Sequence, residues 1–418
     1  MNIKRYCALA LVLFTVLVLF GACGTSEKEI TFTDYTGELI PAQGEGQTGS
    51  PDKTPEDQSG NDTSTGAAGT GTETSAGTET SGTGSQTTDP EPVTVDPQPS
   101  SGEEFVPTGN VNPLTGLCDG ISDKALTRRP VAIMVSNSYD SLPQWGISQA
   151  DIIYEMLVEG RITRFLAIFQ DPSKIEKLAS IRSARPYFID IAQSYGAVYM
   201  HFGGSVPAYD AIAARKDLIN IDGIKGSWEG TVFFRDKERR SKLGYEHSVY
   251  TTGEYIENGL ARLSSPLDQD THPSAFTFAS KSSASDGRDA SLVRINFSSS
   301  NKPYFVYDDS NGVYRRYQYN TEQMDGYLNQ QVTAKNLFVI EMKTTDIKDS
   351  DLKLVSIQTT GSGKGYYFCD GKYINITWKK SAYNSQINYY DENGSEIVCE
   401  RGQSFISVVM NLDNVEVQ

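Results

Sequence analysis

Residues 151–205 read DIIYEMLVEGRITRFLAIFQDPSKIEKLASIRSARPYFIDIAQSYGAVYMHFGGS, and this stretch decides how the chain folds. Two apolar runs, 151–158 and 164–169, have the length of single strands and are rich in residues that strands favour. Both lead towards the segment IRSARP at 181–186, where a strand is expected to give way to a turn and a helix. The sequence therefore predicts that the two arginines of this segment stand at a strand-to-helix junction.

The elements around this junction are predicted to be alternating strands and helices. Pro186 suits the first turn of a helix that ends near Tyr195. Apolar runs at 130–136 and 197–202 predict two more strands, and the first is apolar enough to be buried on both faces. Strands that alternate with helices indicate an α/β sandwich, so the fold class predicted for residues 110–280 is α/β or α+β.

Arg182 and Arg185 are the main candidates for binding a ligand. A planar guanidinium group binds phosphate or carboxylate oxygens with two hydrogen bonds, and the start of a helix adds backbone donors. The alternative is that both arginines pair with Glu155, Glu159 and Asp190 in an internal ion network. The two interpretations can hold together, because carboxylates commonly orient arginines that bind ligands.

Other charged residues of the same region complete the candidate site. Arg164 and Arg235 offer further guanidinium groups, and His201, which precedes two glycines at a strand end, could act as a general base or a ligand donor. A structural role is the alternative for His201, and the same choice applies to His247. The candidate ligand-binding residues are Arg182, Arg185, Arg164, His201 and Arg235, and the candidate steering or acid–base residues are Asp151, Glu155, Glu159 and His247. The sequence shows no metal-type ligand spacing, and it leaves the cofactor and the catalytic residues unknown.

The net charge of −16 is concentrated in one segment of the chain. Residues 24–109 hold 16 acidic and 2 basic residues, whereas residues 110–418 hold 37 acidic and 33 basic residues. The part that is expected to fold is therefore nearly neutral and lacks the basic excess that nucleic-acid binding requires. We expect no nucleic-acid partner.

The first 23 residues have the form of a lipoprotein signal peptide. A basic start precedes an apolar stretch, 8–20, that is shorter than a membrane-spanning helix. The sequence LFGAC at 19–23 resembles a bacterial lipobox, although Phe20 stands where the motif places Leu. We expect cleavage before Cys23 and its modification with lipid, including palmitate, as an anchor on the outer face of the cell membrane. An ordinary secretory signal with an incidental cysteine is the alternative.

Residues 24–109 are expected to form a disordered acidic linker rich in Gly, Ser, Thr and Pro. Such a composition buries too little apolar surface to offset the entropy of ordering the chain. A flexible segment of this length has a root-mean-square span of about 50 Å. It would hold the folded part away from the membrane.

After residue 285 the apolar pattern changes to a period of two. Short alternating runs separated by turn signals such as the Asp-Gly pair at 370–371 predict strands joined by hairpins. Residues 285–418 are therefore predicted to form a mainly antiparallel all-β domain, either a sandwich or a partly open barrel. Cys369 and Cys399 both fall in predicted strands there, and the sequence leaves open whether they form a disulfide or two buried thiols.

Several short motifs of the chain resemble those of the YerB-like lipoprotein family. They are ADIIYE at 150–155, TRF at 163–165, IRSARP at 181–186, HFGGS at 201–205, RD at 235–236, HSVY at 247–250, GSG at 361–363 and TWK at 377–379. The resemblance covers residues 110–418. It implies an envelope lipoprotein with a two-part body, made of N- and C-terminal halves, and with no established activity.

Residues 168–182, IFQDPSKIEKLASIR, are also similar in rhythm to the core of the LytR-CpsA-Psr phosphotransferases. In that family a strand, a Pro-Lys turn and a second strand end in Ser-Ile-Pro-Arg-Asp. The similarity implies transfer of wall polymers from lipid pyrophosphates, with arginines and an acidic metal site. Here Ser183 and Ala184 replace the Pro-Arg-Asp continuation, so an acidic ligand is missing at that point.

Two classes of function follow from these observations. The first is a membrane-anchored envelope lipoprotein that binds an anionic cell-wall component or an envelope partner. The alternative is a phosphoryl- or glycosyl-transfer enzyme that acts on a wall polymer or its lipid-pyrophosphate precursor. The sequence favours the first, because it shows no clear acid–base or metal set.

Overall fold

The computed structural model describes residues 106–269, 276–348 and 350–418. Residues 1–105 lie outside the described residues, and they include the predicted signal peptide, Cys23 and nearly all of the predicted linker. All described residues fall within one compact unit of the chain.

Five α-helices lie in the described part of the chain, and local sequence explains where they begin. They are α1 Asp123–Leu126, α2 Pro186–Ser194, α3 Val206–Ala214, α4 Lys237–Leu243 and α5 Gly253–Leu260. Helix α2 has proline in its first turn, as predicted. Ser205 caps α3 and Asp236 caps α4, and in each case the side-chain oxygen accepts a hydrogen bond from a backbone N–H of the first turn.

The described residues are predominantly β. The strands before residue 270 are β1 Val131–Ser136, β2 Ile152–Leu157, β3 Thr163–Phe169, β4 Leu178–Ala179, β5 Val198–His201, β6 Asn220–Asp222, β7 Phe234–Arg235 and β8 Val249–Thr251. The later strands are β9 Thr277–Ala279, β10 Arg288–Asp289, β11 Leu292–Ile295, β12 Tyr304–Asp308, β13 Val313–Gln318, β14 Thr321–Glu322, β15 Met324–Asp325, β16 Gln330–Gln331, β17 Thr333–Ala334, β18 Asn336–Glu341, β19 Thr344–Asp346, β20 Val355–Ile357, β21 Gly361–Cys369, β22 Lys372–Lys380, β23 Asn388–Tyr390, β24 Val398–Glu400, β25 Ser404–Val409 and β26 Val415–Val417.

A large mixed sheet of 11 strands forms the centre of the fold. Its order is β10-β22-β21-β18-β25-β2-β3-β1-β5-β6, with β23 beside β22. Strand β1 is buried along its whole length, which agrees with its unbroken apolar sequence. It pairs with β3 in antiparallel and with β5 in parallel orientation. The arginine-bearing segment 181–186 follows β4, which pairs with β8 outside this sheet, and it reaches β1 through a bridge between Ile181 and Val135.

The large sheet is continuous across the position near 280–285 where the sequence predicts a change of domain. Strand β25 lies between β2 and β18 and is parallel to both. Four of the longer strands after residue 285 (β18, β21, β22 and β25) thus join the large sheet, and β21 pairs in antiparallel orientation with both β18 and β22. Alternation of apolar and polar residues identifies a strand, but it does not tell which other strand of the chain will pair with it.

A second sheet, β14-β13-β12-β11-β26 with β17 beside β13, covers one face of the large sheet. Tyr154 and Glu155 are neighbours on β2 and therefore point to opposite faces. The hydroxyl groups of Tyr154 and Tyr195, the residue after α2, lie 2.9 Å apart. Glu155 instead binds Arg316 of β13. Helix α2 therefore packs on one face and the second sheet on the other.

Aromatic rings fill the layer between the two sheets. Phe405 of β25 packs edge-to-face against Phe165 of β3 and Phe305 of β12, at centroid distances of 5.8 and 5.2 Å. Such pairs contribute about 1 kcal/mol each beyond the area that they bury. In the same half of the chain Cys369 and Cys399 are both buried and both carry free thiols.

Candidate functional site

Residues 181–186, which we call the arginine loop, connect strand β4 to helix α2 and run past the end of β1 in the large sheet. Ile181 forms a bridge with Val135 at the end of β1, and the Arg182 N–H donates to the carbonyl of Met134 at 3.0 Å. The Ala184 N–H donates to the carbonyl of Gly203 at 2.9 Å. Backbone hydrogen bonds on both sides thus fix the position from which the arginines project.

Arg164 and Arg185 share a single carboxylate, that of Glu159. Arg185 donates from Nε to Oε2 at 2.9 Å, while Arg164 pairs with Oε1 and also donates to the carbonyl of Ser183 at 3.0 Å. Glu159 begins the short turn between β2 and β3, which contains Gly160 with φ of 62°. The turn thus brings one acid to two buried guanidinium groups.

The electrostatics of this cluster follow from two cations facing one anion. Burial alone would raise the pKa of Glu159, but the charges of Arg164 and Arg185 lower it to about 2. Burial, and then the charge of Arg185, lower the pKa of Arg164 to about 9, so it stays protonated at neutral pH. The cluster therefore carries a surplus of positive charge.

Arg182 of the arginine loop and Arg235 of β7 are both partly exposed. Arg182 donates from Nη1 to a carboxylate oxygen of Glu246 at 3.0 Å, while its Nε has no partner among the described residues. Arg235 donates to Glu229 at 2.8 Å and stacks on the ring of Tyr245, with its Cζ 3.6 Å from the ring centroid. The four candidate arginines thus contact three glutamates: Arg164 and Arg185 share Glu159, and the other two arginines have one glutamate each.

The two candidate histidines lie beneath this surface. His201 is fully buried, its Nδ1 lies 2.7 Å from the carbonyl of Gly203, and its Nε2 lies 3.3 Å from the amide nitrogen of Asn220. Because a carbonyl only accepts, Nδ1 carries the proton. Burial lowers the pKa of His201, and burial followed by the charge of Arg182 lowers that of His247. Both are therefore neutral at pH 7.

Two of the candidate acids lie away from the arginine loop. Asp151 is at the opposite end of β2, where its carboxylate accepts hydrogen bonds from the Gln170 N–H at 2.6 Å and from Asn112 at 2.8 Å. Glu155 is on the other face of the large sheet, paired with Arg316. Of the three acids, only Glu159 contacts any of the candidate ligand-binding arginines.

Sequence reasoning missed the acid Glu246 and the buried cation Arg316. Alternation along β13, Val313–Gln318, was a usable signal for Arg316, because it places Tyr314, Arg316 and Gln318 on the buried face. No comparable signal exists for Glu246, whose contact with Arg182 joins residues 64 positions apart.

One group of described residues, Cys369, Asp370 and Glu400, has ligand atoms close enough to hold a metal ion. The ammonium group of Lys335 lies 2.5 Å from Asp370 and 2.8 Å from Glu400. Burial would lower the pKa of Lys335, but the two carboxylates hold it well above its usual value. An ammonium group thus already lies in contact with both acids.

The fold and these contacts define a predominantly β protein in which an N-terminal and a C-terminal segment build one sheet. Residues 114–265 match the N-terminal domain of a family described as protein of unknown function (DUF3048), and residues 293–406 match its C-terminal domain. The chain belongs to the DUF3048 family, which confirms the resemblance to YerB-like proteins.

The YerB protein of Bacillus subtilis, which matches both by its sequence and by its crystal structure, shows how far the similarity extends. The chain is 30% identical over 305 residues to the protein named "Putative lipoprotein YerB" of Bacillus subtilis (strain 168), covering 72% of this chain and 86% of that protein. It is also similar to the crystal structure of the YerB protein from Bacillus subtilis, with a TM-score of 0.64 and 29% identity, covering 73% of this chain and 99% of the other. Among the helices of the described residues, none is long and apolar enough to cross a membrane.

Proposed function

We propose that this protein is a lipoprotein anchored to the outer face of the bacterial cell membrane, and that its folded part binds an anionic cell-wall component at the arginine loop. The name of the Bacillus subtilis relative and the lipobox-like sequence that ends at Cys23 support the anchor. The linker predicted at 24–109 would let the folded part reach the wall.

The surplus of guanidinium groups at the arginine loop carries the binding proposal. Glu159 balances only one of the two charges on Arg164 and Arg185. The side chain of Arg182 is 17% exposed, so an incoming anion can reach part of it. A phosphate or carboxylate group would supply the missing negative charge.

The two histidines favour binding over group transfer. A general base must be reached by the proton that it accepts. His201 is enclosed by the fold, and His247 is 5% exposed. The arginines can hold an anion without either histidine, because binding requires no general acid or base.

The binding proposal is tested by titrating the full chain, in detergent micelles, with a purified glycerol phosphate polymer. Arg182→Gln should weaken binding at least about tenfold, because it removes a charge-assisted pair. Arg288→Gln is the matched control, since Arg288 is an exposed arginine stacked on Tyr373 of the distant strand β22. Wild-type affinity in the Arg182 variant would refute the proposed site. If an immobilised envelope protein retained the Arg182 and Arg288 variants equally well, a protein partner would be favoured over an anionic polymer.

The anchor is tested separately with Cys23→Ser. In cells fed a palmitate analogue, the wild-type chain should take up label and sediment with membranes. The variant should lose the label and leave the membrane fraction, because a lipid chain supplies most of the membrane affinity of an anchored protein. Labelling of the variant would contradict the assignment of Cys23.

A further inference from the structure

The small sheet of β4, β8 and β7 brings aromatic side chains from distant parts of the sequence into one row. Strand β8 lies between β4 and β7. Trp145 extends the sheet beyond β4, since its N–H and carbonyl form hydrogen bonds of 2.9 and 3.1 Å with Ala179. Trp145, Ala179, Tyr250 and Phe234 therefore follow one another in register across the sheet. Residues that lie opposite each other on paired strands point to the same face.

The burial of β8 shows that this face is the outer one. Val249 and Thr251 are buried, whereas Tyr250 between them is partly exposed. Trp145 and Phe234, which share the face of Tyr250, are partly exposed as well. Aromatic side chains thus follow one another at a surface that water reaches.

Two further tyrosines lengthen the row at its ends. The ring centroid of Tyr255, in helix α5, lies 4.3 Å from that of Phe234. At the other end Tyr327 is 46% exposed, and its ring centroid lies 6.0 Å from that of Trp145. The N–H of Tyr327 donates to the buried carboxylate of Asp325 at 3.0 Å, which fixes its backbone. We call these side chains the aromatic row: Tyr255, Phe234, Tyr250, Trp145 and Tyr327.

An ion pair lies in the middle of the aromatic row, between Trp145 and Tyr250. The ammonium nitrogen of Lys177 lies 4.3 Å from the ring centroid of Trp145 and 4.4 Å from that of Tyr250. It also lies 3.1 Å from a carboxylate oxygen of Asp236, and the two charged side chains are 20% and 18% exposed. An ammonium group has three donors and a carboxylate has several lone pairs, so each can also bind a hydroxyl group.

These features match the chemistry of a sugar ring. A β-linked pyranose presents C–H groups on its flat faces, which pack on the electron-rich face of an aromatic ring. Its rim carries hydroxyl groups, which both donate and accept. A dry protein interface would instead have to bury the Lys177–Asp236 pair, which costs free energy. The opposite charges of the pair also suit a ligand without net charge.

We infer that the aromatic row binds a neutral β-linked glycan chain. Its sugar rings stack on the aromatic side chains, and its hydroxyl groups bind Lys177 and Asp236. Several aromatic rings in a row suit a chain of sugars better than a single sugar, because each ring adds a stacking contact. The inference does not depend on anion binding at the arginine loop, since stacking requires no negative charge on the ligand.

Calorimetric titrations of the full chain, in micelles of a detergent without sugar groups, test the inference with three probes. They are the β-1,4-linked tetramer of N-acetylglucosamine, cellotetraose and the open-chain polyol sorbitol. At least one tetramer should bind, whereas sorbitol should not, because it has hydroxyl groups but no flat C–H face. Binding of one tetramer alone would support the inference and show which ring substituent the site prefers. Binding of neither tetramer, or equal binding of sorbitol, overturns the inference.

Two variants locate the binding. Tyr327→Ala, at an exposed position that does not endanger folding, should weaken the tetramer at least about threefold, since it removes one stacking ring. Lys177→Met keeps an unbranched stem but removes the donors, and it should also weaken binding about threefold. Tyr383→Ala is the matched control, because Tyr383 is a 38% exposed tyrosine that packs on Arg215 after helix α3. Wild-type affinity in both the Tyr327 and the Lys177 variants would refute the site.

Arg182→Gln separates this inference from the proposed function. The variant should bind the neutral tetramer as tightly as wild type does, even where it has lost the anionic polymer. If it lost the tetramer as well, the glycan would belong to the arginine loop, and the inference of a site at the aromatic row would be wrong.

Discussion

Two clusters of arginine and glutamate lie on opposite faces of strands β2 and β3, and they differ in how completely their charges are balanced. Between the two sheets, Arg316 and Glu155 are both fully buried and pair one to one. On the helix face, Arg164 and Arg185 share Glu159, which is 19% exposed. A balanced pair sealed from water can only support the fold, whereas an unbalanced cluster near the surface can also accept an anion.

The position of each cluster in the chain explains the difference. Glu155 is in the middle of a strand, where the second sheet closes over it and the amides of Asn137 and Gln318 surround the pair. Glu159 is in a turn at the edge, next to the arginine loop. The first cluster therefore has a structural role, and the proposed binding role concerns the second cluster alone.

The largest effect is expected from Glu155→Gln. It leaves the charge of Arg316 buried without a counter-ion, which costs about 3–5 kcal/mol of unfolding free energy. Urea titration measures the loss, and Glu322→Gln, at an exposed position, should cost less than about 0.5 kcal/mol. A combined Glu155→Leu and Arg316→Met variant should regain most of the stability, since it removes both charges together. A Glu155 variant as stable as wild type would contradict the sealed character of this cluster.

A smaller effect is expected from Glu159→Gln, about 2–4 kcal/mol, because water reaches this carboxylate. Replacing chloride by phosphate at equal ionic strength should return roughly 1 kcal/mol, since an anion at several times its dissociation constant can occupy the vacated position. The same exchange should not stabilise the Glu155 variant. If phosphate stabilises both variants equally, or neither, the distinction between the two clusters fails.

The comparison also shows what the sequence could and could not predict. Strands β1 to β3 and helix α2 were predictable because unbroken apolar runs and Pro186 mark them locally. The meeting of Arg164 with the arginine loop follows from the same local order. The assignment of Glu155 to Arg316 does not, because it depends on the packing of β13, 161 residues further along the chain.

The burial of His201 shows the same limit at the candidate site. Its place at the end of β5, next to Gly203, was predictable from the apolar run before it. Its complete burial results from the pairing of β5 with β6 and from the contact with Asn220. Strand β6 and Asn220 lie in the segment 217–224, and the sequence of that segment is compatible with a strand or a loop.

The smallest effect is expected at Asp151, the third candidate acid. Its contribution to stability should change with pH in the opposite direction to that of Glu159. Burial raises the pKa of Asp151 to about 7, and the hydrogen bonds from Asn112 and from the Gln170 N–H oppose this rise only in part. The folded state therefore holds a proton that the unfolded state has lost, and stability should fall as pH rises from 4 to 7. Glu159, whose pKa is lowered to about 2, behaves oppositely: its contribution is present above its unfolded pKa and disappears as pH falls towards 2.

The contribution of Asp151 is on the order of 1 kcal/mol after allowance for screening by solvent at this partly exposed carboxylate. Denaturant titrations of wild type and Asp151→Asn at pH 4, 5.5 and 7 measure it. The variant should lose the same amount of unfolding free energy at each pH, since its amide NH₂ group must face one N–H donor. Only the slope of the unfolding free energy against pH reports the titration of Asp151. A flatter slope in the variant is expected between pH 4 and 7. Parallel slopes would show that Asp151 is ionised in the folded protein over this range, and the contrast between an acid whose pKa is raised and an acid whose pKa is lowered would have to be abandoned.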